Sequence, residues 1–521
     1  MAWELTGFPP SLSRQLRPPR AFAASVSSVV NGTVDNIDMT ELLKNMALRG
    51  LDTAVKRGAQ YADVRFMRLR RQIVNAEDER ISNLSDSEDF GFGVRVLLNG
   101  AWGYAATGDI SDEAMDRAAA EAVEIAKASA TVMGEPVTLV PEPARTADFR
   151  TQVCEDPFTV PISDKTALLL QLNRELLAHE GIKKANSFLI LKRDERWLAT
   201  SHGSWLTSGV VTVAPGYSAT AVGGGDARSR SYAPPPRTAG WENVDAKDLL
   251  ANTDRVAEQA LEHLKAPECP AGTFDLVLDP AHLSLTIHES VGHPTELDRV
   301  LGMEESLAGR SFATPEKLKT FQYGSPLINF VADNTLECGL ATHGFDDDGV
   351  AGQRWHIVKD GVLNAYGTSR DVAGLIGYER STGCARADHW SHAPIVRIPN
   401  LSLMPGEKEC SPDDLIAGVE DGIYIEGRGS FSIDQMRFNF QFGGDAFWRI
   451  RNGKKAGMLK NVTYQSITPD FWNACDGLSD ERFWQPNGIM NCGKGDPMQI
   501  SQMTHGAPYA RFRNITVGAA K

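Results

Sequence analysis

The chain has 521 residues, 42% of them apolar, and a formal net charge of −14; a chain of that length can bury two or three hydrophobic cores. The acidic balance argues against a nucleic-acid surface, because phosphate binding needs clustered Lys and Arg, and no apolar run approaches the ~18–20 residues of a membrane span. Seven cysteines (Cys154, Cys269, Cys338, Cys384, Cys410, Cys475 and Cys492) are scattered, odd in number and without a CxxC pair, which reads as a reduced, cytoplasmic chain whose cysteines are mostly small buried apolar residues.

In chain order, residues 1–34 carry Arg14, Arg17 and Arg20, several Pro and Ser, and Glu4 as their one acid. This Arg-rich, acid-poor start lacks the apolar core of a secretory signal, so 1–36 is set apart as a disordered or leader segment with targeting open. Residues 39–58 space apolar side chains at i, i+3, i+4 and stop at Gly58, as an amphipathic helix does. Residues 62–69 alternate as a half-buried strand, and 91–98 with 101–104 read as a hairpin turning at Asn99-Gly100. An Ala- and Glu-rich helix follows at 112–130. The pattern then recurs, with a helix near 164–180, strands within 185–223, a Pro-rich surface loop at Ala233-Pro234-Pro235-Pro236, and a helix near 245–265.

Pro267, Pro270 and Gly272 cluster where the texture changes. Beyond them the chain is Gly-punctuated and strand-like at 349–367, 395–403, 422–448 and 461–465, with turns at Lys359-Asp360-Gly361 and Arg451-Asn452-Gly453. The expected class is α+β. A mixed α/β domain of helix–strand–strand units covers 37–268, and an antiparallel, β-rich, barrel-like domain covers 269–521.

The second half holds Leu285-Thr286-Ile287-His288-Glu289-Ser290-Val291-Gly292-His293. In the zinc-hydrolase motif HExxH, two histidines one helical turn apart share a face, with Glu beside the metal. Here the spacing is HExxxH. On a regular α-helix five residues overshoot a full turn by roughly 140°, so both imidazoles could not reach one ion. Gly292, free to leave helical geometry, and Pro294, which pushes His293 towards an extended conformation, predict a helix that ends or bulges at the second histidine. The alternative is a helix end with one packed and one exposed histidine. A hydrolytic site needs a third ligand. Cys492, between turn-prone residues and two positions before Lys494, is a candidate whose residues alone leave a buried structural cysteine open.

Several other groups are candidates. Glu296 and Asp298 follow His293 and could orient an imidazole N–H. His392 and Arg397 could polarise a substrate, Arg397 being equally readable as a surface ion pair. His389 and His392 at i, i+3 could form a second metal pair. Asp346-Asp347-Asp348-Gly349 lacks the spacing of a calcium loop and reads as a solvated turn.

From about residue 40 to the end, the chain resembles the TldD/PmbA family of zinc metallopeptidases, on its TldD-like side. The resemblance is carried, in order, by Gly93-Val94-Arg95-Val96 with Gly100-Ala101-Trp102-Gly103, the HExxxH segment with Glu296, and Asp346-Asp347-Asp348-Gly349. It continues through His392-Ala393-Pro394-Ile395-Val396-Arg397 with Asn400, Glu426-Gly427-Arg428-Gly429-Ser430, and Cys492-Gly493-Lys494. It implies His288, His293 and Cys492 as ligands of one Zn²⁺, Glu289 as catalytic base, and an active rather than a metal-free subunit. It further implies hydrolysis of unfolded peptides in a dimeric chamber, with a PmbA-like partner or as a homodimer. Pro294 stands where Gly is usual, which leaves substrate preference open. Two other readings compete: a non-catalytic interaction or scaffold subunit with structural zinc, and an amide hydrolase of small molecules. Neither nucleic acid nor membrane is an expected partner.

Overall fold

The structure, a computed structural model, describes residues 39–518; the expected leader segment lies outside the described residues. Helix α1 (Met39–Lys56) buries Leu43, Met46, Ala47, Leu51 and Ala54 on one face. It leads into β1 (Tyr61–Glu77), β2 (Arg80–Leu98) and β3 (Ala101–Thr107). Asn99 and Gly100 turn the β2–β3 hairpin with φ of 52° and 78°, the left-handed pair that matches strand twist and that Asn-Gly adopts most cheaply. Helix α2 (Asp112–Ala130) follows, its N-terminus capped by the Ser111 side chain accepting from the Ala114 N–H.

The unit then repeats with β4 (Thr146–Arg150), α3 (Ile162–Leu177), β5 (Ile182–Thr200), β6 (Trp205–Gly223) and β7 (Asp226–Tyr232). The helix expected near 245–265 is two, α4 (Ala246–Ala251) and α5 (Thr253–Lys265), parted at Asn252. The seven strands form one sheet in the order β3-β2-β1-β5-β6-β4, with β7 on β6; all pairs are antiparallel except β4 with β6. One set of apolar side chains joins α1 and α2 to Val64, Phe66, Phe92 and Val94. A second joins α3 and α5 to Val74, Leu189 and Val213.

The expectation of a half-buried strand at 62–69 needs correction. Residues 61–67 of β1 are all buried, including Asp63 and Arg65. One face meets the helices and the other meets the second half of the chain, so alternation here marks apolar against ionic packing rather than inside against outside.

That second half begins with β8 (Gly272–Leu278), a strand inside a nine-stranded open sheet that runs from an edge at Phe431–Ile433 to an edge at Lys454–Leu459. The sheet is largely antiparallel, with β8 parallel to Asp421–Glu426. It is not a closed barrel. Smaller sheets centre on Phe330–Asp333 and on the hairpin Gln485–Lys494/Gln499–Ala507. The largest core joins them and includes Phe471 stacked on Phe512, with Trp472 edge-on to both. Helix α6 (Pro280–Ile287) leaves β8 and packs against both strands of that hairpin.

Candidate metal centre

Asp279 caps α6 by accepting from the His282 N–H, and Pro280 occupies the first turn, where no N–H is needed. Beyond Ile287 the helix widens. The His293 N–H bonds the His288 carbonyl, five residues back, so one extra residue fits in the turn and side chains at i and i+5 come to one face. The HExxxH spacing therefore works without unravelling. Displaced carbonyls find side-chain donors: the Thr295 hydroxyl serves Val291 and Gly292, and the Tyr323 hydroxyl serves Ser290.

Two expectations change here. His293 keeps helical angles (φ −61°, ψ −41°) despite Pro294, because the bulge comes before it. Gly292 is also helical; what it supplies is room, since an added Cβ would lie 2.9 Å from Ile398 Cδ1.

The chain brings His288, His293 and Cys492 together, all buried, with their ligand atoms within 4.8 Å of one another. Cys492 Sγ lies 3.5 Å from His293 Nε2, across 199 residues of sequence. The imidazole centroids are 4.7 Å apart.

Hydrogen bonding decides which nitrogens are free. His505 Nδ1 lies 2.9 Å from the Leu401 carbonyl, and His505 Nε2 lies 2.9 Å from His288 Nδ1. A carbonyl only accepts, so His505 Nδ1 carries the proton and its Nε2 accepts from His288 Nδ1–H. His288 is left with a bare Nε2. His293 reaches the same state another way, donating from Nδ1 to Glu296 Oε2 at 2.7 Å. Burial keeps all three imidazoles neutral, holding His288 and His293 well below the usual histidine range and His505 at about 4.

The thiol sits against a cation. Arg397 Nη2 donates to Cys492 Sγ at 3.1 Å and to the Cys492 carbonyl at 2.6 Å, while Nη1 donates to the Gln499 carbonyl. Burial pushes the Cys492 thiol up to about 11, with Arg397 pulling against it. Lys494, two positions beyond the thiol, bonds Asp298 and the Val396 carbonyl and lies 3.2 Å from Glu296. It thus holds the carboxylate that orients His293. Asp298 accepts from Lys494 and from the Arg299 N–H rather than from an imidazole.

Glu289 is buried next to this set without joining it, and its carboxylate pairs with Arg437. Burial raises Glu289 above the usual carboxylate range, opposed by Arg437 and Arg299.

Of the other candidates, Arg397 is fully buried on the thiol rather than exposed. His392 lies elsewhere: it bonds Asp388, and its carbonyl accepts from Arg65 of β1. His389 pairs with Asp89 and Ser391. The only metal-capable group found among the described residues is His288, His293 and Cys492. The Asp346–Asp348 run is no solvated turn. Asp347 pairs with Arg65 and Arg196, Asp348 with Arg95, and Asp346 accepts from three backbone N–H groups. Three of the seven cysteines are buried, fewer than expected, and none is disulfide-bonded.

Sequence reasoning missed His505 and Arg437. A single His in a strand and a single Arg in a Gln-Met-Arg-Phe turn carry no spacing signal, and both are found only by their partners.

The donor set fits zinc. Two bare imidazole nitrogens and one thiol suit a borderline-soft ion. Tetrahedral bonds of ~2.1 Å to N and ~2.3 Å to S put such atoms roughly 3.6 Å apart, close to the 3.5 Å between His293 Nε2 and Cys492 Sγ.

Comparison with known proteins agrees in family and fold. The family models of the PmbA/TldA metallopeptidase match here: domain 1 at residues 62–126, the central domain at 155–266 and the C-terminal domain at 271–519. A metalloprotease of Methanothermobacter thermautotrophicus is 29% identical over 88% of this chain and 95% of its own. A zinc metalloprotease TldD homolog of Saccharolobus solfataricus is 24% identical over 88% and 97%. The crystal structure of TldE from Thermococcus kodakarensis superposes with a TM-score of 0.68 at 16% identity, covering 92% of this chain and all of that one.

Proposed function

This chain belongs to the PmbA/TldA metallopeptidase family, and on that premise we propose that it is a zinc peptidase hydrolysing unfolded peptides, with Glu289 as general base. The observation that carries the reading is the convergence of three protein ligands, two with their second nitrogen already committed, beside a buried carboxylate that is not one of them. A structural zinc site is usually closed by four protein ligands, whereas a hydrolytic one keeps a position open.

In this reading His288, His293 and Cys492 hold the ion, which when bound supplies Lewis-acid polarisation of a carbonyl and acidifies water. Glu289 takes a proton from water and delivers it to the leaving amine, and its raised proton affinity suits both halves of that transfer. His505 and Glu296 fix ring orientation and tautomer. Arg397 draws charge from the thiolate sulfur, which offsets the stronger electron donation of a thiolate relative to a third imidazole.

The same proposal places the chain in a dimeric chamber in the cytoplasm, with a PmbA-like partner or a second copy. The fold shared with TldE supports the first, and seven unpaired cysteines support a reducing compartment. Metal analysis combined with cleavage of an unstructured peptide library, with and without chelator, tests the reading. Zinc near one per chain and chelator-sensitive cleavage are expected. Bound zinc without cleavage of any peptide would favour the scaffold reading.

A further inference from the structure

Peptide hydrolysis is accelerated when a protein donor, beside the ion, meets the oxygen that gains charge as water adds to the scissile carbonyl. Among the ligands' partners described above, Arg397 has both terminal nitrogens on Cys492 and Gln499, leaving only its buried Nε without an acceptor, and Lys494 is held by Asp298, Glu296 and Val396. We propose that Arg437 is that donor, a catalytic residue of the reaction inferred above, on which this assignment rests.

Three observations converge on it. The first is position: Arg437 is ion-paired with Glu289, so its guanidinium lies beside the base. The second is unused capacity. Guanidinium carries five N–H donors, yet a single protein acceptor, Glu289, is recorded for Arg437, and Arg437 Nε is buried with no acceptor among the described residues. A buried donor left unpaired costs stability unless something arrives to use it.

The third is the backbone. Arg437 has φ of 61°, a left-handed conformation that is strained for a side-chain-bearing residue and nearly free for a glycine. The turn that imposes it is clamped from all sides. The Asp434 carboxylate accepts from the Phe438 and Asn439 N–H groups. The Arg437 carbonyl accepts from Thr468 Oγ1, and the Gln435 carbonyl accepts from Arg299. For backbone conformation alone Gly would serve better here, and the strain adds to the position and the unpaired donor in pointing to the side chain.

The step balances without further reagents. Water oxygen bonds the carbonyl carbon, and the C=O pair moves to oxygen, where the guanidinium N–H groups donate. Glu289 accepts the water proton and returns it to the amide nitrogen as the C–N bond breaks.

The test uses the zinc-loaded full chain and three variants, Arg437→Gln, Arg437→Lys and Arg437→Gly. Removing one oxyanion donor typically lowers turnover by about 100- to 1,000-fold. The expectation is a kcat loss of that order in the Gln and Gly variants, partial rescue by Lys, a KM within about threefold of wild type, and wild-type zinc content. The Gly variant should melt no lower than the Gln variant, because the strain is relieved. A phosphinic peptide, which mimics the tetrahedral species, should lose affinity in proportion to kcat, while a product peptide should not. To separate donation from mere positioning of Glu289, phosphinic affinity is measured again in the Glu289→Gln background, where Arg437→Gln should still weaken it. Equal loss of phosphinic and product affinity, no further loss in the Glu289→Gln background, or wild-type turnover in Arg437→Gln would each overturn the assignment. Absence of peptide cleavage by the wild-type protein would instead remove the underlying peptidase reading.

Discussion

Two neutral imidazoles and a protonated thiol cannot take up a dication without a change of protonation. Folding raises Cys492 from the ordinary 9 to about 11 by burial, so between pH 7 and 8 the metal-free site carries its thiol proton, and binding must release it. The histidines contribute none, being held neutral by burial. The sign follows: zinc affinity rises with pH below the thiol's own value, by about tenfold per unit. Calorimetry in buffers of different ionisation enthalpy should report close to one proton released per zinc; a value near zero would show that Arg397 already holds a thiolate. At the same scale, Glu289→Gln should leave zinc content unchanged, because Glu289 is not among the converging ligand atoms, while peptide hydrolysis falls at least ~100-fold. Wild-type turnover by the zinc-loaded Gln protein would sink the base assignment.

The decisive element is the widened turn after α6. Its extra residue makes HExxxH a one-face pattern, and its carbonyls depend on Thr295 and Tyr323. Space is tight on the side facing Ile398, where a Cβ on Gly292 would meet Cδ1 at 2.9 Å and Cγ2 at 3.1 Å. Gly292→Ala should therefore shift the turn and destabilise by about 1–3 kcal/mol, as overpacking does, and weaken zinc binding with it. Adding Ile398→Val, which deletes the nearer atom, should recover part of both. Thermal melts and zinc titration of the single and double variants check this, and an alanine variant with unaltered zinc affinity would show that the turn has slack. The hairpin that supplies Cys492 and His505 is the second essential element, because it closes the site from a segment 199 residues away from His293.

At the scale of the molecule, the seven-stranded sheet is joined to the second half through buried ions. Asp347 holds Arg196 at 2.7 Å and Arg65 at 3.3 Å, and Arg95 bridges Asp63 and Asp348 at 2.7 Å each. Burial alone would raise Asp347, but Arg196 and Arg65 outweigh it and hold the carboxyl well below the usual range. Removing one member of such a set strands its partners' charge out of water. Asp347→Ala should thus cost about 3–5 kcal/mol, seen as a lower melting temperature and earlier proteolysis of the residue 61–107 strands. A melting profile matching the wild type would mean that water reaches the junction.

What the sequence determined by itself was local. Apolar spacing located α1 and α2, Asn-Gly pinned the β2–β3 turn, and HExxxH followed by Glu296 marked one side of the candidate metal centre, because these signals span few residues and rest on backbone periodicity. It also required a helix that ends or bulges at Gly292–His293, although it placed the cause in Gly292 and Pro294 rather than in a widened turn, where Gly292 and His293 keep helical angles. Only the tertiary structure decided the rest. Cys492 could be read from its neighbours as structural or ligating, and proximity to His293 came from strand pairing far along the chain. His505, Arg437, and the donor role of Arg397 have no pattern of their own, being single side chains whose function is a partner. The Asp346–Asp348 run looked solvated because a charge shows no burial in sequence, and it is buried only because three arginines of another sheet arrive to meet it.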